Sequence, residues 1–206
     1  MNVGEAIDLL KNSELKQLKI KEDKAAIRGY INLGILEIYK RFNLWQDEAT
    51  INMVVGTSLY TLDGNDVNVD IDLSDKQLLM IEEIYEESAE KVSLNDESDP
   101  YSIFTPQYHQ VEIPEAVENQ ILSVIFRAAP KFLTNEKATI PLPPQFFEAL
   151  FHYVGFRAHG SIKNTPNTEN NSFYKKFENS CDRVKMEGLF AQDSMVSHKF
   201  ENRGFV

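Results

Sequence analysis

Four histidines, one cysteine and two groups of carboxylates are the residues whose chemistry could reach beyond packing. His152 and His159 fall on one expected helix, separated by roughly 10 Å of axial rise, too far for both to ligate one metal. With His109 and His198 they read as structural or solvated histidines. In residues 63–75, Asp66, Asn68 and Asp70 occupy alternate positions, as ligands of a calcium loop do. Ile71 stands where that loop needs glycine, and Gln77 where it needs a bidentate glutamate, so the pattern fails at its strictest positions. Glu82, Glu83, Glu86, Glu87 and Glu90 could supply paired acid–base carboxylates, but the run falls where a strand is expected to turn. It reads as the solvated tip of a hairpin. Ser58 lies in Val-Gly-Thr-Ser-Leu, not in a nucleophile elbow, and no phosphate-binding or dinucleotide glycine pattern occurs. Cys181 sits on the apolar face of an expected helix, the place of a small core residue. No catalytic residue, cofactor or metal ligand is expected, and the chain reads as non-enzymatic.

The bulk properties agree with a structural role. The 206 residues are 42% hydrophobic, with 13 Phe and 8 Tyr, enough to bury a core and too apolar for a disordered polyelectrolyte. No apolar run reaches the ~18 residues of a membrane span, and the early carboxylates of residues 1–15 do not fit an export signal. A single cysteine allows no disulfide within the chain, which fits a reducing compartment. The net charge of −11 repels phosphate, so a dedicated nucleic-acid-binding role is not expected.

The elements that must position these residues follow from the apolar spacing. Ile27, Ile31, Ile35, Ile38 and Phe42 predict a long helix over 22–42, preceded by a shorter one over 3–10. Gly29 and Gly34 within it each cost roughly 1 kcal/mol in helix propensity, which predicts a close approach of a backbone or bulky side chain at both. From residue 49 the pattern changes to short runs rich in Val, Ile, Leu and Tyr. ATINMVV, SLYTL, LLMIEEIY, KVSL, YHQVEI and QILSVIF predict an antiparallel β region, with one edge strand inside the acidic loop 63–75. Prolines at 141, 143 and 144 open a helix at Gln145 that is apolar on most sides and therefore buried, packed on the 22–42 helix and the sheet. After a loop over 160–171, a last helix places Phe173, Phe177, Cys181 and Val184 on one face. The fold class is α+β: a single domain over 1–206, helical in 1–45, mainly β in 46–130, helical in 140–192, with an extended tail over 193–206. Phe42, Trp45, Tyr60, Phe147 and Phe151 are the expected core junction. Phe200 and Phe205 lie in a stretch without period, which suggests docking on a partner, the alternative being a strand that folds back on the body.

Arg41-Phe-Asn-Leu-Trp45, the run 49–55 and Gly56-Thr-Ser-Leu-Tyr60-Thr-Leu62 together resemble the start of bacteriophage head-to-tail adaptors of the tail tubular protein A type. Pro130-Lys-Phe-Leu133, then Ile140-Pro-Leu-Pro143 and an aromatic-rich helix, are similar to the same family's passage from its last core strand to a buried helix. The ending Phe200-Glu-Asn-Arg203-Gly-Phe205 is similar to its C-terminal tail. The chain departs from the pattern at Leu62-Asp63, where Leu-Pro is expected, and in the acidic insertion that follows. The resemblance implies a structural virion protein of the neck, assembled in the host cytoplasm as a closed ring of about a dozen copies under the portal. It implies the portal protein, the next tail or neck protein and other copies of itself as partners. Genomic DNA would pass through the ring without sequence-specific binding, and no membrane is involved. Phe200, Arg203 and Phe205 would form a portal-docking tail. The alternatives are another neck or tail-completion protein contacting the tail tube, and a glycan-binding tail module.

Overall fold

Helix α1 (Val3–Asn12) opens on a reciprocal cap. The Asn2 side chain accepts from the Glu5 N–H at 2.8 Å, while the Glu5 carboxylate accepts from the Asn2 N–H at 2.9 Å. Two backbone donors that a helix start leaves orphaned are thereby satisfied. The structure, a computed structural model, describes residues 1–160 and 168–188. These fall into a helical unit, Met1–Phe42 with the described part of Phe132–Asp193, and a β unit, Asn43–Lys131. The fold class is α+β, as the alternation of patterns predicts.

In the helical unit, a 3-10 turn at Lys19–Glu22 leads to α2 (Lys24–Arg41), whose first turn is capped by Asp23 accepting from the Ala26 N–H at 2.9 Å. The expected stripe of Ile27, Ile31, Ile35 and Ile38 is the buried face. The two glycines part company. A Cβ on Gly34 would lie 2.6 Å from Leu150 Cδ1 and 3.1 Å from Tyr153 Cδ1, so α3 (Phe147–Gly160) needs that glycine to pack closely. Gly29 has nothing within 4 Å of the same position, which corrects the expectation of a close approach there. Its side of the helix is exposed, and no packing need is met by the missing side chain.

The helix after the prolines starts later than expected. Phe146 N–H bonds to the Pro143 carbonyl and Phe147 N–H to the Pro144 carbonyl, so the i+3 bonding holds Pro144–Phe146 in a 3-10 turn before α3 begins. Helix α4 (Thr168–Met186) starts inside the stretch read as loop. Phe177, Cys181 and Val184 are buried along it, and the Phe173 ring covers Gly155 of α3, where a Cβ would lie 2.8 Å from the ring. Helix α3 packs on both α2 and α4. The segment between Phe132 and Leu142 is strapped to the start of α1 by backbone bonds. Val3 N–H donates to Ala138 at 3.0 Å, Gly4 N–H to Glu136 at 2.8 Å, and Ile140 N–H to Met1 at 3.1 Å.

The β unit holds a four-stranded antiparallel sheet in the order β3-β1-β6-β4, formed by β1 (Gln46–Asn52), β3 (Val69–Asp70), β4 (Lys76–Glu86) and β6 (Ile121–Pro130). A separate antiparallel pair is made by β2 (Leu59–Thr61) and β5 (Gln110–Glu112). Alternate residues of β1 and β6, among them Ala49, Ile51, Leu122, Val124 and Phe126, form one core with Tyr60, Leu62, Ile103 and Val111. The edge strand expected in the acidic loop is β3. Two expectations are corrected. KVSL makes only isolated bridges, Tyr85 to Lys91 and Leu94 to Ile103, because the chain turns away after one residue of pairing. Glu82 and Glu83 are not at a hairpin tip: β4 continues to Glu86, and both carboxylates are paired with cations inside the unit.

Candidate functional site

The chemistry-bearing groups of the β unit are committed to holding its shape. Lys76, at the start of β4, is buried. Its ammonium lies 2.6 Å from Asp47, 4.0 Å from Asp72 and Asp75, and 5.4 Å from the centre of the Trp45 ring. The hydrogen bond it donates to Asp47 first, against the cost of burial, raises its pKa and keeps it charged. Glu82 is held by Arg127 and accepts from Gln46 Nε2 at 2.6 Å, and Glu83 accepts from Lys91 at 2.6 Å and from the Tyr85 hydroxyl at 2.7 Å. Burial, with the Glu83 hydrogen bond behind it, pushes the Tyr85 phenol up to about 12.

The acidic loop spends its carboxylates on turns. Asp63 accepts from the Asn65 N–H, Asp66 from the Asn68 and Thr61 N–H groups, and Asp72 from the Ser74 N–H, all within 3.1 Å. Asp63 and Asp72 are held below the usual carboxylate range by these backbone donors. Among the described residues no group of three or more His, Cys, Asp or Glu is placed to hold a metal ion.

In the helical unit, Arg41 at the end of α2 ties that helix to α4. It pairs with Glu37 at 2.9 Å, donates to the Tyr174 hydroxyl at 3.0 Å, and lies 4.6 Å from the centre of the Phe177 ring. His152 Nδ1 is 3.1 Å from the buried Ser180 Oγ, and burial lowers its pKa. His159 Nε2 lies 3.3 Å from the Glu14 carbonyl and its ring stacks on Phe173. In the β unit, His109 Nδ1 and Asn43 Oδ1 are buried without a hydrogen-bond partner.

The residues expected at the core junction are divided between the units. Phe42 is buried in the helical unit and meets Phe146 edge-on at 4.8 Å, while Phe147 and Phe151 of α3 are half-buried. Trp45 and Tyr60 belong to the β unit. Trp45 is half-buried beneath Lys76, and Tyr60 is fully buried with its hydroxyl accepting from Val54 N–H at 2.9 Å and donating to the Thr57 carbonyl at 3.2 Å. Phe200, Arg203, Phe205 and His198 lie outside the described residues, as does the rest of the expected tail.

A surface feature that motif reasoning passes over is the partition of charge. Residues 43–131 hold 18 Asp and Glu against 4 Lys and Arg, a net charge of −14, whereas the rest of the chain, with 14 against 17, is at +3. Three of the four cations, Lys76, Lys91 and Arg127, are already paired within the unit. The signal was readable without coordinates: no Lys or Arg occurs in 43–75 or in 92–126.

The carboxylates of Asp63, Asp72, Glu82 and Glu83 serve turns and ion pairs, His152 and His159 sit on a hydroxyl, a carbonyl and a ring, and the charge is strongly polarised along the chain. A model of the SU10 adaptor protein family matches residues 1–197, and the chain belongs to that family of bacteriophage head-to-tail adaptors. It is a structural protein of neck and tail assembly. The match does not carry the narrower tail tubular protein A type. No curated protein matches the chain. No helix among the described residues is long and apolar enough to cross a membrane.

Proposed function

We propose that this adaptor acts as a ring subunit in the virion neck, with about a dozen copies closing under the portal and joining it to the next tail component. The observation that carries the reading is the family match over residues 1–197. In this reading the helical unit and the segment 194–206, with Phe200, Arg203 and Phe205, face the portal, and the β unit faces the tail. No reaction is catalysed. Binding energy comes from buried apolar anchors multiplied by ring avidity. The charge of residues 43–131 supports passage of the genome, because an acidic surface along a conduit repels phosphate where a basic one would hold it. Assembly takes place in the host cytoplasm, in keeping with a lone cysteine that is buried and free.

Purified full-length protein mixed with portal rings of the same virus is expected to form a stoichiometric complex visible by electron microscopy. Removal of 194–206 is expected to weaken co-sedimentation with the portal while leaving the thermal midpoint nearly in place. Protein that stays free of portal rings, or that binds only the tail tube, would replace this reading with that of a tail-completion protein.

A further inference from the structure

Three loops converge at one end of the β unit. Loop 53–58 leaves β1, loop 62–68 enters β3 and loop 113–120 enters β6. Met53 N–H bonds to Gln120 and Asn119 N–H to Met53, which ties the first loop to the third. Asn52 N–H bonds to Asn68, which brings in the second. The Glu118 carboxylate adds a bond from the Val55 N–H at 2.9 Å. Each loop carries an exposed valine: Val55 at 65%, Val67 at 94% and Val117 at 57% of full exposure. Single exposed apolar residues are ordinary, but one on each of three bonded loops makes a shared apolar end.

These tips are set before any partner arrives. Gly56 and Gly64, with φ of 85° and 80°, take the left-handed conformation that tight turns need, and Asn119 takes it at 61°. Thr57 N–H bonds back to Val54, Val69 N–H to Asp66 and Gln120 N–H to Val117. A partner therefore meets ordered loops, and little conformational entropy is lost in the encounter. The setting of the valines is acidic throughout. Asp63, Glu115 and Glu118 are exposed around them, and no Lys or Arg lies in 43–75 or 92–126 to neutralise them.

We propose that this end is the docking surface for a protein of the tail side whose matching face is basic with apolar recesses. Val55, Val67 and Val117 enter the recesses. Glu115 and Asp63 meet its lysines and arginines around the rim, where charges speed association and select the partner. The proposal rests on the reading of the β unit as the tail-side part and adds which residues dock and what chemistry receives them.

The test uses the full chain and, one at a time, the purified neck and tail proteins of the same virus, with portal rings, a second copy of the chain and duplex DNA measured alongside. One neck or tail protein is expected to bind, more weakly at about 0.5 M than at about 0.05 M salt. The double variant Val55→Ser with Val117→Ser, and separately Glu115→Lys, should each weaken that binding roughly tenfold or more with portal binding and thermal midpoint unchanged. Unchanged tail-protein binding by both variants would overturn the proposal while the adaptor reading stands on portal binding. So would variants that alter only self-association, which would assign the surface to a second copy, or binding of duplex DNA by the same loops. Portal binding with no neck or tail protein bound also overturns it. Failure to bind either portal or tail proteins would remove the adaptor reading itself.

Discussion

The Asn32 side chain grips both backbone groups of Leu133. Its Oδ1 accepts from the Leu133 N–H at 2.9 Å, and its Nδ2 donates to the Leu133 carbonyl at 3.1 Å. One buried polar residue on α2 thus fixes the point where the chain re-enters the helical unit. Tyr39, two turns further on, repeats the device by donating from its hydroxyl to the Pro141 carbonyl at 2.6 Å. Asn32→Ala leaves two backbone groups to find other partners and is expected to cost about 1–3 kcal/mol. Urea denaturation should show a lower midpoint at unchanged slope. A loss below about 0.5 kcal/mol would mean that the segment is held by its other bonds alone.

Gly34 and Gly29 lie in one helix and should respond to alanine with opposite signs. Gly34→Ala drives a methyl against Leu150 and Tyr153, both buried, and is expected to destabilise by about 1–3 kcal/mol through overpacking. Gly29→Ala meets nothing and gains helix propensity, up to about 1 kcal/mol of stabilisation. Thermal melting of the two variants side by side checks the pair. Equal effects of the same sign would refute the close approach of α3 at Gly34.

That contrast also marks how far the sequence alone reaches. The spacing of Ile27, Ile31, Ile35 and Ile38 names the buried face of α2 because a helix repeats its faces on that period. Which glycine on the helix is covered depends on where α3 crosses, and no local pattern encodes a crossing. The strands were legible as β-rich runs, but the role of Glu82 and Glu83 was not. Their partners, Arg127 and Lys91, are distant or across a turn, and a string of glutamates read locally resembles a solvated tip. Lys76 was hidden in the same way. Its burial follows from Asp47 and Trp45, which β1 brings alongside. At the surface, the valines of loops 53–58, 62–68 and 113–120 carry no periodic signal, although the absence of cations around them was plain in the chain.

Acid should weaken the β unit through defined carboxylates. Backbone donors hold Asp63 and Asp72 below the ordinary 3.8, and the Ser98 hydroxyl and N–H do the same for Asp96. Burial alone would raise Glu83 from 4.5, but bonds from Lys91 and Tyr85 leave it lowered. A carboxylate with a folded pKa below its unfolded one adds stability that is complete above the unfolded value and is lost as pH falls through the folded value. Whereas His152, whose pKa burial lowers, costs stability as pH falls through about 6.5, these carboxylates should therefore leave the thermal midpoint in place down to about pH 4.5 and lower it below that. Asp63→Asn with Asp72→Asn should flatten that decline. An equally steep decline below about pH 4.5 in that double variant would point to other groups.

Cys181 should be inert in the folded protein. It lies on the buried face of α4 between Phe177 and Val184, and burial pushes its thiol up to about 11. The thiolate is the reactive species, so at about pH 8 both its scarcity and its inaccessibility slow attack on a disulfide reagent. A chromogenic thiol assay should read close to zero for native protein and one equivalent after denaturation. The rate of slow labelling should follow the opening of α4 and rise with Gly155→Ala, since a Cβ at that position would meet the Phe173 ring at 2.8 Å and loosen the contact of α3 with α4. Rapid labelling of the native wild type would show that α4 does not keep Cys181 buried.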